Sequence, residues 1–156
     1  MNLLTDKILI TGANGWLGKT LIKSLVYGLK NSEEFKSPQK KLSVRCLLLP
    51  GENSDFLKKQ SDSIEIIHGN LANREDCDNF MINYKESLLI HCAGIIHPNR
   101  TKEFYDINVG GTKNLLKSAI KNKIKKAIII SSNSPCGTNP DNDHLFDEKY
   151  SYNPYL

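Results

Sequence analysis

The chain has 156 residues, 39% hydrophobic and 24% charged, with 21 Lys and Arg against 17 Asp and Glu for a formal net charge of +4. That composition excludes a disordered, collagen-like or coiled-coil chain, and the length suits one buried core rather than two. No apolar run approaches the ~18 residues of a membrane span, no leader-like segment opens the chain, and the mild basic excess lies in Lys36–Lys41 and Lys121–Lys126 as solvated loop or helix end, so neither membrane nor nucleic acid is expected as a partner.

In chain order, Lys7–Ile10 is the first strand candidate. Leu17 to Leu29 follows, with leucines at 17, 21, 25 and 29 in the i, i+4 spacing of one helix face. Asn31 to Lys41 is polar, contains Pro38 and reads as a lengthened surface loop. Val44–Leu49, Ile64–His68 and Ser87–His91 are the next strands, Lys58 and Lys59 fall on a helix, and Val109–Ile120 is a helix with Leu115, Leu116, Ala119 and Ile120 to one side. Lys126–Ile130 is the fifth strand. Strands apolar nearly throughout and separated by helices call for a parallel sheet covered on both faces, with right-handed crossovers: an α/β fold with a doubly wound parallel sheet, as one domain over 1–156. Ser131 to Leu156 is polar, aperiodic and marked by Phe146, Tyr150, Tyr152 and Tyr155. Terminal loops of that length are uncommon in complete domains, so the fold is expected to be incomplete at its C-terminal end.

Cys46, Cys77, Cys92 and Cys136 are scattered without a C-x-x-C pair, which predicts reduced thiols and a cytoplasmic protein. His68, His91, His97 and His144 have no metal-ligand spacing, so no metal site is expected.

Chemistry concentrates first at Thr11-Gly12-Ala13-Asn14-Gly15-Trp16-Leu17-Gly18, between the first strand and the first helix. A dinucleotide's diphosphate needs a tight strand-to-helix turn, backbone N–H groups approachable without a Cβ in the way, and the positive end of a helix. Gly12, Gly15 and Gly18 supply the first two, three residues apart rather than in the G-x-G-x-x-G register, and the helix that follows supplies the third. The residue that separates NAD from NADP is expected at the end of the second strand, acidic for ribose hydroxyls or basic for a phosphate. Leu47-Leu48-Leu49-Pro50-Gly51 carries neither charge, so the choice between the two stays open.

Several segments together resemble the extended short-chain dehydrogenase/reductase family, the NAD-dependent epimerase/dehydratase group, from Lys7 to about Tyr155. TGANGWLG at 11–18 is similar to its T-G-x-x-G-x-x-G loop, which implies cofactor contacts from Gly12, Asn14, Gly15, Trp16, Leu17 and Gly18. His68-Gly69-Asn70-Leu71 resembles the G-D-L after the third strand, with Asn70 where the family has an Asp that bonds the adenine amine; the amide oxygen can still accept that bond without charge, and Leu71 follows. His91-Cys92-Ala93-Gly94 resembles H-x-A-G, in which Cys92, Ala93 and Gly94 let the backbone lie along the cofactor and His91 reads as a satisfied core histidine. Asn108-Val109-Gly110-Gly111-Thr112 matches N-V-x-G-T, whose Asn108 holds backbone or water near the nicotinamide or serves as a helix cap.

Ser131-Ser132 through Gly137 matches S-S-x-x-x-x-G and places Ser132 at the family's catalytic hydroxyl. The resemblance implies that this hydroxyl steadies a substrate oxygen while a tyrosine transfers the proton and a lysine four residues later lowers the tyrosine's pKa. Tyr155 lies 23 residues beyond Ser132 and is that tyrosine or an aromatic just before it; the lysine would fall at position 159. The resemblance thus implies a Rossmann-type, NAD- or NADP-binding part of an oxidoreductase, epimerase or dehydratase acting by hydride transfer on a secondary alcohol or ketone, with a nucleotide sugar as one candidate substrate and a homodimer as one candidate assembly. The alternative is a non-enzymatic dinucleotide sensor or scaffold, or a catalytically dead fragment.

Overall fold

The computed structural model describes residues 5–33, 36, 42–132, 136–137, 147, 149 and 151–152. Tyr155, the Asn153-Pro154 run before it and most of the 31–41 loop lie outside the described residues.

Five parallel strands form one sheet in the order β3-β2-β1-β4-β5. They are β1 (Lys7–Thr11), β2 (Ser43–Leu48), β3 (Ile64–His68), β4 (Leu88–His91) and β5 (Lys126–Ile129). The chain runs outward from β1 to β3, then returns to pair β4 on the other side of β1, so strand order reverses between β1 and β4. A crevice at the carboxyl ends of the strands is the consequence, because the loops leaving β1 and β4 diverge to opposite faces. This is the Rossmann-type α/β fold that the apolar strands predict.

Helices α1 (Trp16–Tyr27), α2 (Asp55–Gln60) and α3 (Arg74–Met81) follow the first three strands. After β4, a turn of α4 (Thr101–Glu103) runs through a π-helical stretch, Phe104–Gly111, into α5 (Thr112–Lys121). One apolar cluster joins Ile8, Ile10, Val44, Cys46 and Leu48 to Ile22 of α1 and Leu57 of α2. The other joins Leu9, Leu47 and Leu89 to Cys77, Phe80 and Met81 of α3 and Leu115 and Ala119 of α5. Two layers of helix thus sandwich the inner strands, as alternating side chains on a doubly buried strand require. No helix among the described residues is long and apolar enough to cross a membrane, and no cluster of His, Cys, Asp and Glu among them can hold a metal ion.

The predicted helix faces are rotated in places. In α1 the buried positions are Gly18 and Ile22, Leu21 and Leu25 of the leucine stripe pack partly buried against the same cluster, and Leu29 lies beyond the helix and is exposed. In α5, Ser118 packs inward with Leu115 and Ala119, while Ile120 is 80% exposed. The larger departure is β5: all four of its residues are exposed, although its sequence reads as a buried strand. Burial there depends on neighbouring layers, and among the described residues no helix covers this edge.

Candidate functional site

The β1–α1 turn is built by steric necessity. Gly12 has φ +72, and a Cβ on it would stand 2.6 Å from the Ala93 nitrogen and 2.7 Å from the Cys92 carbonyl carbon. The backbone of the turn therefore lies directly against the segment leaving β4, where Cys92 N–H donates to the Thr11 carbonyl at 3.2 Å. A Cβ on Gly18 would collide with the Gly12 carbonyl oxygen and with Ala13, so this glycine lets α1 start close behind the turn. Gly15 is different: its φ is −67, and an added Cβ would meet only the Gly12 oxygen, at 3.3 Å. Space beside Gly15 is space for a ligand.

Gly15 caps α1 without a side-chain hydrogen bond, no acidic residue stands in the first turn, and the first intrahelical bond runs from Lys19 N–H to the Gly15 carbonyl. The N–H groups of Trp16, Leu17 and Gly18 thus have no acceptor among the described residues, and the positive helix end is uncompensated. The Trp16 ring is 82% exposed, so this residue contributes to the turn through its backbone. Such an N-terminus is a ready anion site.

A cavity of about 450 Å³ opens over these groups, lined by Gly12 and Gly15, by Leu47–Leu49 and Glu52, by Gly69, Asn70 and Leu71, and by Cys92–Ile95 with Ile107. Its size and mostly apolar wall suit a small-molecule cofactor. It gathers Gly12, Gly15, Asn70, Leu71, Cys92, Ala93 and Gly94 of the predicted site into one place.

Asn14 and Asn70 both make side-chain bonds within the protein. Asn14 turns sideways, its Nδ2 donating to Glu52 Oε1 at 2.9 Å and to the Asn53 carbonyl at 2.8 Å, while its buried Oδ1 has no partner among the described residues. It braces the turn against the β2–α2 loop. The Asn70 oxygen accepts from Ala72 N–H at 2.9 Å, which leaves Nδ2 as the free end of the amide among the described residues.

Asn108 clasps the backbone of Ile95 with both ends of its amide, Oδ1 accepting from N–H at 2.8 Å and Nδ2 donating to the carbonyl at 2.9 Å. It lies within the π-helical stretch and caps nothing; holding backbone is what it does. A Cβ on Gly94 would approach its Oδ1 to 3.3 Å, so the small residue leaves room for the clasp. His91 is buried, with Nδ1 bonded to Thr11 Oγ1 at 2.6 Å and Nε2 to Thr112 Oγ1 at 2.9 Å, and burial holds its pKa below the ordinary value. Thr11 Oγ1 also accepts from Ala93 N–H at 3.3 Å. One imidazole thus ties the exits of β1 and β4 to the start of α5. Ser132 lies just past β5, exposed and outside the cavity wall, and Tyr155 falls outside the described residues.

Glu52 is the residue that sequence reasoning passed over. Leu49-Pro50-Gly51-Glu52 is a tight turn: Pro50 precedes Gly51 at φ +81, and Glu52 N–H donates to the Leu49 carbonyl at 3.0 Å. The turn folds the carboxylate back over the end of β2, where Oε2 accepts from Leu49 N–H at 2.9 Å. The signal was the Pro-Gly pair, which places the next residue, not the last strand residue, at the tip.

Five parallel strands, a crevice where their order reverses, and a glycine turn presenting a bare helix end define a Rossmann-type nucleotide-binding domain. The chain belongs to the NAD dependent epimerase/dehydratase family, which matches residues 8–155. It is 38% identical over 148 residues to the uncharacterized protein y4nL of Sinorhizobium fredii, covering 95% of this chain and 40% of that protein. It is 31% identical over 135 residues to a UDP-glucose 4-epimerase of Vibrio cholerae, covering 83% and 35%. The fold matches that of a Thermus thermophilus UDP-glucose 4-epimerase solved with NAD at a TM-score of 0.73 and 16% identity, covering 95% of this chain and 44% of that one. The chain therefore spans less than half the length of these relatives.

Proposed function

We propose that this chain is the cofactor-binding portion of an oxidoreductase, epimerase or dehydratase that moves a hydride at a secondary alcohol or ketone, and that its cofactor is NAD rather than NADP. The observation that carries the reading is the bare start of α1 opening through Gly15 into the cavity, which fits a diphosphate. Gly12, Gly15 and the N–H groups of Trp16, Leu17 and Gly18 would hold that bridge, while Leu71 and Ala93 line other parts of the same cavity. Nicotinamide, when bound, supplies the hydride donor or acceptor. Asn108 keeps the β4 exit in place beside it, Ser132 steadies a substrate oxygen, and Tyr155 is the candidate proton carrier. A nucleotide sugar as substrate is supported by the UDP-glucose 4-epimerases among the relatives. A cytoplasmic setting is supported by the four free cysteines.

Glu52 carries the choice of NAD. Each of its carboxylate oxygens is fixed by one donor, leaving lone pairs for ribose hydroxyls, whereas a 2′-phosphate would meet a like charge.

Titration of the purified chain with NADH and NADPH, followed by nicotinamide fluorescence, tests both statements. Gly15→Asp places a favourable N-cap where the ligand's charge would sit, so the variant should melt no lower than the parent yet bind NADH at least about tenfold more weakly. The parent should prefer NADH about tenfold, and Glu52→Gln should erase most of that preference. Equal, negligible signals from parent and Gly15→Asp defeat the cofactor claim; equal affinity for NADH and NADPH defeats only the role of Glu52.

A further inference from the structure

The exit of β3 presents an unusual combination of groups to the cavity. Asn70 N–H donates to Asp76 Oδ2 at 2.7 Å, Asn73 N–H donates to the Asn70 carbonyl at 2.9 Å, and Ala72 N–H donates to Asn70 Oδ1 at 2.9 Å. The last bond sets the amide's orientation, because a backbone donor requires oxygen and not nitrogen opposite it. The end of the side chain left without a partner among the described residues is Nδ2, which carries two hydrogens. Next to it, Leu71 N–H also has no acceptor among the described residues. Both residues line the cavity.

Strand order says which part of a dinucleotide meets them. With the diphosphate at α1 and a ribose over Glu52 at the end of β2, the next strand outward is β3, and the group reaching its exit is the purine base. Adenine shows a 6-amino donor beside the N1 acceptor. A 6-oxopurine shows the reverse, an O6 acceptor beside an N1–H donor. A wall of two donors makes one matched and one mismatched contact with either base, whereas an acceptor beside a donor would match adenine twice and the oxopurine not at all.

We infer that Asn70, with the free amide hydrogens it presents beside Leu71 N–H, makes this site indifferent to whether the cofactor's purine carries an amino or an oxo group at C6. This rests on the dinucleotide reading above and adds to it the selectivity for the base. Asn70→Asp is nearly isosteric, can keep the bond from Ala72 N–H, and converts the free donor into an acceptor.

The experiment is a fluorescence titration of the parent and of Asn70→Asp with NADH and with reduced nicotinamide hypoxanthine dinucleotide, at one ionic strength. The parent should bind the two within about threefold, and Asn70→Asp should favour NADH by about tenfold or more. A parent that itself prefers NADH by tenfold overturns the inference and leaves the dinucleotide reading standing. Failure of the parent to bind either compound overturns both. The parent's ratio decides the matter by itself, even where the variant folds poorly.

Discussion

The two edges of the sheet are built to different standards. On the β3 side, the guanidinium of Arg45 is buried and makes four hydrogen bonds: Nε and Nη2 donate to Glu65 at 2.8 and 2.9 Å, and Nη1 donates to the carbonyls of Phe80 and Ile82 at 2.9 and 2.7 Å. It also lies 3.9 Å from the ring centre of Tyr84, whose hydroxyl reaches Ser43 and Glu65. One side chain thereby joins β2, β3 and the C-terminal end of α3. On the β5 side, Ile128 and Ile129 point to opposite faces and are equally exposed, at 39%. The half of the sheet beneath Glu52 and Asn70 is held from both faces; the half leading to Ser132 is not. The glycine turn and Ser132 thus sit on regions of unequal packing within one chain.

The largest test of that contrast is Arg45→Ala. It strips two carbonyls at the end of α3 of their donor, removes the charged partner of Glu65 and opens space against Tyr84. Because Glu65 is half-exposed, water relieves part of the loss, and a cost of about 3 kcal/mol is expected, seen as a drop in melting temperature of roughly 6–12 °C. A change under about 2 °C would show that the β3 edge is no better secured than the β5 edge.

What could be read from the sequence follows from the range of the forces involved. The strands and the glycine turn were legible because apolar runs and Gly12, Gly15 and Gly18 act locally. Helix α3 was not legible although Cys77, Phe80 and Met81 bury at i, i+3 and i+4 and Asn73 caps its start by accepting from Glu75 N–H, since eight residues, half of them charged, look like loop. Glu52 was hidden behind a turn that carries the chain back on itself. The Thr11–His91–Thr112 tie joins residues 80 and 21 positions apart, a separation that no spacing rule covers. The exposure of β5 was not legible because an apolar string is the same string whether or not something packs on it.

His91 offers a second, intermediate test, placed between the two edges. Burial depresses its pKa below 6.5 in the folded protein, so as pH falls the unfolded chain takes up this proton first. The stabilisation is complete above about pH 6.5 and is lost progressively below it, until the folded-state pKa is passed. A charged ring must also donate from both nitrogens, so whichever of the Thr11 and Thr112 hydroxyls donates to the neutral ring loses its acceptor. Urea unfolding at pH 7.5 and 5.5 should show the parent losing stability toward acid, and His91→Gln losing less. The carboxylate of Glu65, held below its ordinary pKa chiefly by its hydrogen bond from Arg45, adds a separate loss only below about pH 4.5. A parent whose stability is flat between pH 7.5 and 5.5 would mean that the His91 tie is open in solution.

The smallest expected effect comes from one row of the sheet. Ile10, Ile90 and Ile128 are direct neighbours across β1, β4 and β5, and their exposures rise from 0% through 9% to 39%. The same substitution at the two ends of the row therefore measures how burial fades toward the edge, with strand geometry and side chain held constant. Ile10→Thr loses apolar contacts on all sides and buries a hydroxyl, for about 3 kcal/mol. Ile128→Thr trades a partly wet side chain for another good strand former and should cost under about 1 kcal/mol. Chemical denaturation of the two variants compares them directly. Equal costs would mean that β5 is covered in solution as β1 is, and the inequality between the two halves of the sheet would have to be given up.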